Sequence, residues 1–79
     1  MPRYFFHQVT RAGTVHDLEG TDLPDLEHAR LDAVRDARHL MSDSIRCGRD
    51  ISSRLIQICD EAGKVQLILR FLDAVTPGD

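Results

Sequence analysis

Between Asp25 and Gly48 the chain places Leu26, Ala29, Ala33, Ala37, Leu40 and Ser44 at three- and four-residue spacing. That spacing lays them in one stripe along an α-helix over residues 26–47. Met41 widens the stripe, while Asp32, Arg35, Asp36, His39, Asp43 and Arg46 fall on the opposite side. The three alanines let the helix lie close to whatever it covers. A helix cannot bury such a stripe alone, so the rest of the chain must supply an apolar surface for it. The boundaries are marked as well. Asp25 stands where an N-cap carboxylate can accept a free backbone N–H, and Gly48 stands where a left-handed residue ends a helix.

That surface is predicted to be a sheet. Residues 53–59 and 64–72 flank "DEAG", a turn built from Asp60 and Gly63, and read as a hairpin. With those four residues as the loop, Cys59 pairs with Lys64. Ile56, Ile58, Val65, Leu67, Leu69 and Phe71 then share the core face, and Leu55, Gln57, Gln66, Ile68, Arg70 and Leu72 share the other. Residues 4–9 are rich in aromatic and β-branched types, and residues 15–19 can return beside them after "TRAGT". A five-residue loop sets His7 opposite Asp17 and Phe5 opposite Glu19, whereas a four-residue loop sets His7 opposite His16. The expected fold is α+β: ββαββ, a mainly antiparallel four-stranded sheet with one long helix on one face. Seventy-nine residues make one domain, with 76–79 a frayed tail.

Ten Lys and Arg against thirteen Asp and Glu give a net charge of −3, which offers no general attraction to nucleic acid. The arginines 35, 38, 46 and 49 are interleaved with Asp32, Asp36 and Asp43, which disfavours a phosphate-tracking surface. Cys47 and Cys59 form no CxxC motif and are read as free thiols in a reducing compartment. No run resembles a signal peptide or approaches the roughly twenty apolar residues of a membrane span. A cytoplasmic location is therefore expected.

"HDLEGTDLPDLEH", residues 16–28, is the densest polar stretch. Asp25, Glu27 and Asp22 are accounted for by the helix start and the turn before it. The remaining candidate polar site comprises His7, His16, Asp17 and Glu19, with Arg30 at the border of the apolar stripe and within reach of Glu27. A carboxylate beside His7 would raise its affinity for a proton, and an enzyme using His7 and Asp17 is the least favoured reading, since no nucleophile stands beside them. The spacing fits neither a calcium loop nor a zinc site. His28 and His39 lie about 16 Å apart along the helix, too far to share one ion. No cofactor or metal is expected.

The stretches "MPRYFFH", "DLEGTDLPDLEHARLDAVRDAR" and "DEAGKV…RFLDAV" resemble a family of small bacterial proteins of unknown function, common in rhizobia and related alphaproteobacteria. The resemblance implies an α+β fold and a cytoplasmic bacterial setting, and no activity. "DLEHARLDAV" is also similar to the helix start of HicB-like antitoxins, which would imply a nucleic-acid-linked regulator. The residues themselves favour a binding module that self-associates. A single helix covers one sheet face and leaves Leu55, Ile68 and Leu72 on the other as a candidate homodimer interface. A further protein partner is left open.

Overall fold

Extended backbone at Asp25 (φ −161°, ψ 176°) turns into α1 (Leu26–Arg46), and the Asp25 carboxylate accepts the His28 N–H at 2.9 Å. At the other end Cys47 is the last half-helical residue and Gly48 takes φ +78°. The N–H of Gly48 then reaches the Ile45 carbonyl, and that of Arg49 the Ser44 carbonyl, at 2.9 and 2.8 Å. Two carbonyls that the helix would leave bare are thereby satisfied. The computed structural model describes residues 1–78, so residue 79 of the expected tail lies outside the described residues.

Around α1 the chain forms β1 (Arg3–Thr10), β2 (Gly13–Val15), β3 (Thr21–Asp22), β4 (Leu55–Cys59) and β5 (Val65–Arg70), and a 3-10 turn (Phe71–Ala74) follows. The sheet is antiparallel in the order β2-β1-β4-β5, with β3 pairing the start of β1. The fold is α+β with one helix on one sheet face. It carries one short strand more than the four expected.

The core lies between α1 and the sheet. Ala29, Ala33 and Ala37 are fully buried, as are Ile58 and Phe71, and Tyr4, Ile51, Ile56, Leu69 and Ala74 complete the cluster. Each of the large side chains contributes about 1.5–3 kcal/mol relative to exposure. The helix packs on β4, β5 and the 3-10 turn. Arg38 ties helix to turn, its Nε donating to the Ala74 carbonyl at 2.6 Å.

Several pairings differ from the sequence reading. In the second hairpin Cys59 faces Val65 rather than Lys64, and beyond a bulge at Ile58/Cys59 the pairs are Ile58↔Leu67 and Ile56↔Leu69. The cause is Asp60. Its backbone N–H donates to the Lys64 carbonyl, and its Oδ1 accepts the N–H groups of Ala62 and Lys64, so the turn closes around this one residue. The offset is two residues over most of the ladder, so the faces keep their parity. Val65 is the exception. The bulge sets it beside Cys59, and it is 44% exposed instead of buried in the core. Leu55 lies opposite Arg70, not opposite Ile68. Leu72 leaves the strand altogether for the 3-10 turn, because the Phe71 N–H bonds the Arg54 carbonyl at 2.9 Å and Phe71 is drawn into the core.

The first hairpin keeps the register that sets His7 toward His16, with Gln8↔Val15 and Thr10↔Gly13. Its loop is shorter than either expectation, only Arg11 and Ala12. β2 stops at Val15 instead of continuing to residue 19, and β3 resumes with Arg3↔Asp22 and Tyr4↔Thr21, two residues out of step. His7 opposite Asp17 and Phe5 opposite Glu19 are therefore not formed as strand pairs.

Candidate functional site

The two residues of slack between β2 and β3 are taken up at Asp17. Its carboxylate accepts the N–H of Phe6 at 3.1 Å, a β1 donor that no strand reaches there, and those of Glu19 and Gly20 at 3.2 and 3.1 Å. Partial burial pushes this carboxyl up, but the bonds from Phe6, Gly20 and Glu19, with His7 nearby, hold it below the usual carboxylate range. The side chain thus substitutes for a missing stretch of strand. Gly20, at φ +72°, makes the tight return possible. A Cβ there would lie 2.8 Å from Arg3 Cγ and 3.0 Å from the Tyr4 carbonyl oxygen.

His7 sits beside this corner. Its Nδ1 accepts the Asp17 N–H at 3.0 Å, so in the neutral ring the proton is on Nε2. The Phe5 ring stacks at 6.5 Å between centroids, and His16 stands edge-on at 5.0 Å. His7, His16 and Asp17 are brought together, but the Asp17 carboxylate bonds backbone, not imidazole. Glu19 contributes its carbonyl, which accepts from Arg3 Nη1 at 2.8 Å, and the Arg3 fork also clasps Asp22 at 2.9 Å. Arg30 is elsewhere. It makes a two-pronged pair with Glu27 at 3.0 and 2.6 Å on the helix surface. Among the described residues no three His, Cys, Asp or Glu side chains converge as a metal ion requires, and no described helix is long and apolar enough to cross a membrane.

Alternation along the strands turns Phe5, His7 and Val9 of β1, Leu55 and Gln57 of β4 and Ile68 of β5 to the side away from α1. His7, Gln57 and Ile68 form one cross-strand row. Leu55 is half-buried, and Ile68 is 53% exposed. Leu72 does not join them. It is exposed in the 3-10 turn, where it lines a shallow patch with Val75, Thr76 and Pro77.

Sequence reasoning missed a second feature. Because α1 lies toward β5, a cleft of about 340 Å³ opens between it and β1, lined by Phe6, Gln8, Asp36, His39, Leu40 and Ile56. Burial at its wall, and then the charge of Asp32, push the Asp36 carboxyl up. Nothing in the helical period announces this cleft, because it depends on where the helix sits across the sheet. Of the four arginines weighed for phosphate contact, Arg35 pairs with Asp32 and Arg38 with the Ala74 carbonyl. Arg46 and Arg49 make no ion pair among the described residues.

A family profile matches the sequence from residue 3 to residue 72, which spans every strand, the helix and the start of the 3-10 turn. The chain belongs to the DUF6894 family, a domain of unknown function. No curated protein and no solved structure matches it. The matched span of the DUF6894 domain includes both the Asp17 corner and the uncovered sheet face.

Proposed function

We propose that this domain is a self-associating interaction module of a bacterial cytoplasm, a homodimer joined through the sheet face its helix leaves uncovered or through the strand edge adjoining that face. The observation that carries the reading is Ile68. It is 53% exposed on β5, at the end of the row from His7 through Gln57, with Phe5, Val9 and Leu55 on the same face. Apolar surface left in water marks an interface, and covering Ile68 contributes at most about 1.5–3 kcal/mol, with less from the half-buried Phe5, Val9 and Leu55. A second copy presents the same surface, so a symmetric dimer uses the face or its adjoining edge twice. Catalysis is not part of the proposal, because the Asp17 carboxylate beside His7 is committed to three backbone N–H groups.

Sedimentation of the full chain from low to high micromolar concentration tests the reading. A dimer is expected, and Ile68→Asp is expected to sediment as a monomer with its helical circular dichroism intact. A wild-type monomer at high micromolar concentration overturns the proposal. So does an Ile68→Asp variant that unfolds instead of dissociating.

A further inference from the structure

The two margins of the sheet are built differently. On one side β2 has three residues and β3 two, and between them the Asp17 corner turns the chain out of the ladder. Short strands and a break of this kind blunt an edge against pairing. On the other side β5 runs six residues, and from Val65 to Leu69 it carries neither a charge nor a proline. The bulge opposite Ile58/Cys59 falls at Gln66 near the start of this strand and its one charge is Arg70 at the end, so the stretch from Leu67 to Leu69 is left regular and unguarded.

The direction of its backbone groups can be worked out. Phe71 donates to the Arg54 carbonyl, so position 71 is turned toward β4. In an antiparallel ladder such positions alternate, which turns Leu69 and Leu67 inward and leaves the N–H and C=O of Ile68 and Arg70 pointing off the edge. Charge is also divided along the strand. At its start Asp60 and Glu61, with the neighbouring Asp22 at the same end of the sheet, outnumber Lys64 and Arg3. At its finish Leu55 faces Arg70, which forks onto Asp73, and with Arg11, Arg49 and Arg54 of the adjoining segments the basic groups outnumber the carboxylates Asp73 and Asp50. Two copies laid antiparallel along β5 set the acidic end of each beside the basic end of the other.

We infer that the partner of β5 is β5 of a second copy, paired antiparallel about a two-fold axis at Ile68. This rests on the self-association proposed above and assigns it to the strand edge, so that Phe5, Val9 and Leu55 stay on the uncovered face of the joined sheet. The outward groups of Ile68 bond those of the partner's Ile68, and the two side chains become direct neighbours on the uncovered face. Shifting the axis to Leu67 would set Arg70 opposite the partner's Lys64, a like-charge pair. With the axis at Ile68 the two five-stranded sheets become one, with both helices on the same face.

Three measurements on the full chain decide it. Amide exchange by NMR is expected to show Ile68 and Arg70 protected at high micromolar concentration and exposed on dilution. Ile68→Pro removes an N–H that β4 does not use, and it is expected to raise the dimer dissociation constant by about a hundredfold while the fold is kept. Ile68→Cys in a Cys47→Ser background is expected to cross-link to itself on mild oxidation, since directly paired Cα atoms lie about 5.5 Å apart, within disulfide reach. A dimer with unprotected Ile68 and Arg70 amides and no cross-link overturns the edge pairing and leaves self-association standing. A monomer at every concentration overturns both. If Ile68→Pro unfolds, exchange and cross-linking still give the answer.

Discussion

The backbone N–H of Asp17 donates to Nδ1 of His7 at 3.0 Å, while the Asp17 carboxylate turns the other way to accept the Phe6 N–H at 3.1 Å. One residue thus fixes the ring of another without touching it through its acid group. A carboxylate beside a histidine in the sequence suggests that the acid group itself meets the ring. The geometry makes it a seam in the sheet.

Asp17→Ala leaves three N–H groups without their acceptor at a half-buried position. With allowance for solvent access, we expect a loss of about 1–2 kcal/mol in urea unfolding. The pH dependence has a definite sign. The folded Asp17 carboxyl lies below its ordinary value, so its contribution is complete above about pH 3.9 and is lost as pH falls through the lower folded value. The stability gap between wild type and Asp17→Ala should therefore narrow in acid. A gap that widens there would contradict the assignment.

Gly20 and Gly48 share a positive φ, +72° and +78°, but not their surroundings. A Cβ at Gly48 meets nothing within 4 Å, whereas one at Gly20 meets Arg3, Phe5 and the Tyr4 carbonyl oxygen at 2.8–3.0 Å. Gly48→Ala should cost about 1 kcal/mol for conformation alone. Gly20→Ala should cost at least about 2 kcal/mol, because strain and steric overlap add. Parallel thermal melts check the order, and equal losses would mean that the Asp17 corner is looser than described.

Ala33 is fully buried at the centre of the helical stripe. Ala33→Leu pushes the helix off the sheet and should cost about 1–3 kcal/mol, read from denaturant midpoints. A neutral result would place slack between α1 and the sheet.

The helix could be read from the sequence because its signals are local: a 3.6-residue period in the alanine stripe, a carboxylate before it and a glycine after it. The faces of β4 and β5 were also legible, since parity survives a two-residue shift. The register was not, because it depends on bonds that the Asp60 side chain makes within its own turn. Val65 and Leu72 depart from the expected strand faces for that reason and because Phe71 ends the strand. β3 has only two residues, "TD", with little strand character of their own. It is held by the Arg3–Asp22 pair and by the Leu23 N–H on the Pro2 carbonyl at 3.0 Å. Such long-range contacts leave no periodic trace. The candidate polar cluster was half visible for the same reason: the sequence placed His7, His16 and Asp17 near one another, but not which atom of Asp17 faces the ring.

The two thiols give a last, independent test of the strand pairing. Cys47 is exposed at the helix end, while Cys59 is 4% exposed at the end of β4, paired with Phe5 on one side and Val65 on the other. Burial, followed by the charge of Asp60, pushes the Cys59 thiol up, which disfavours the thiolate that reacts. Native protein treated with an aromatic disulfide reagent near pH 8 should therefore release one equivalent quickly, from Cys47. The second should appear only at the rate of unfolding and rise with added urea. Cys47→Ser should abolish the fast phase and leave the slow one. If Cys59 reacted quickly in the native state, Val65 would not be covering it, and the bulge at Ile58/Cys59 would have to be redrawn.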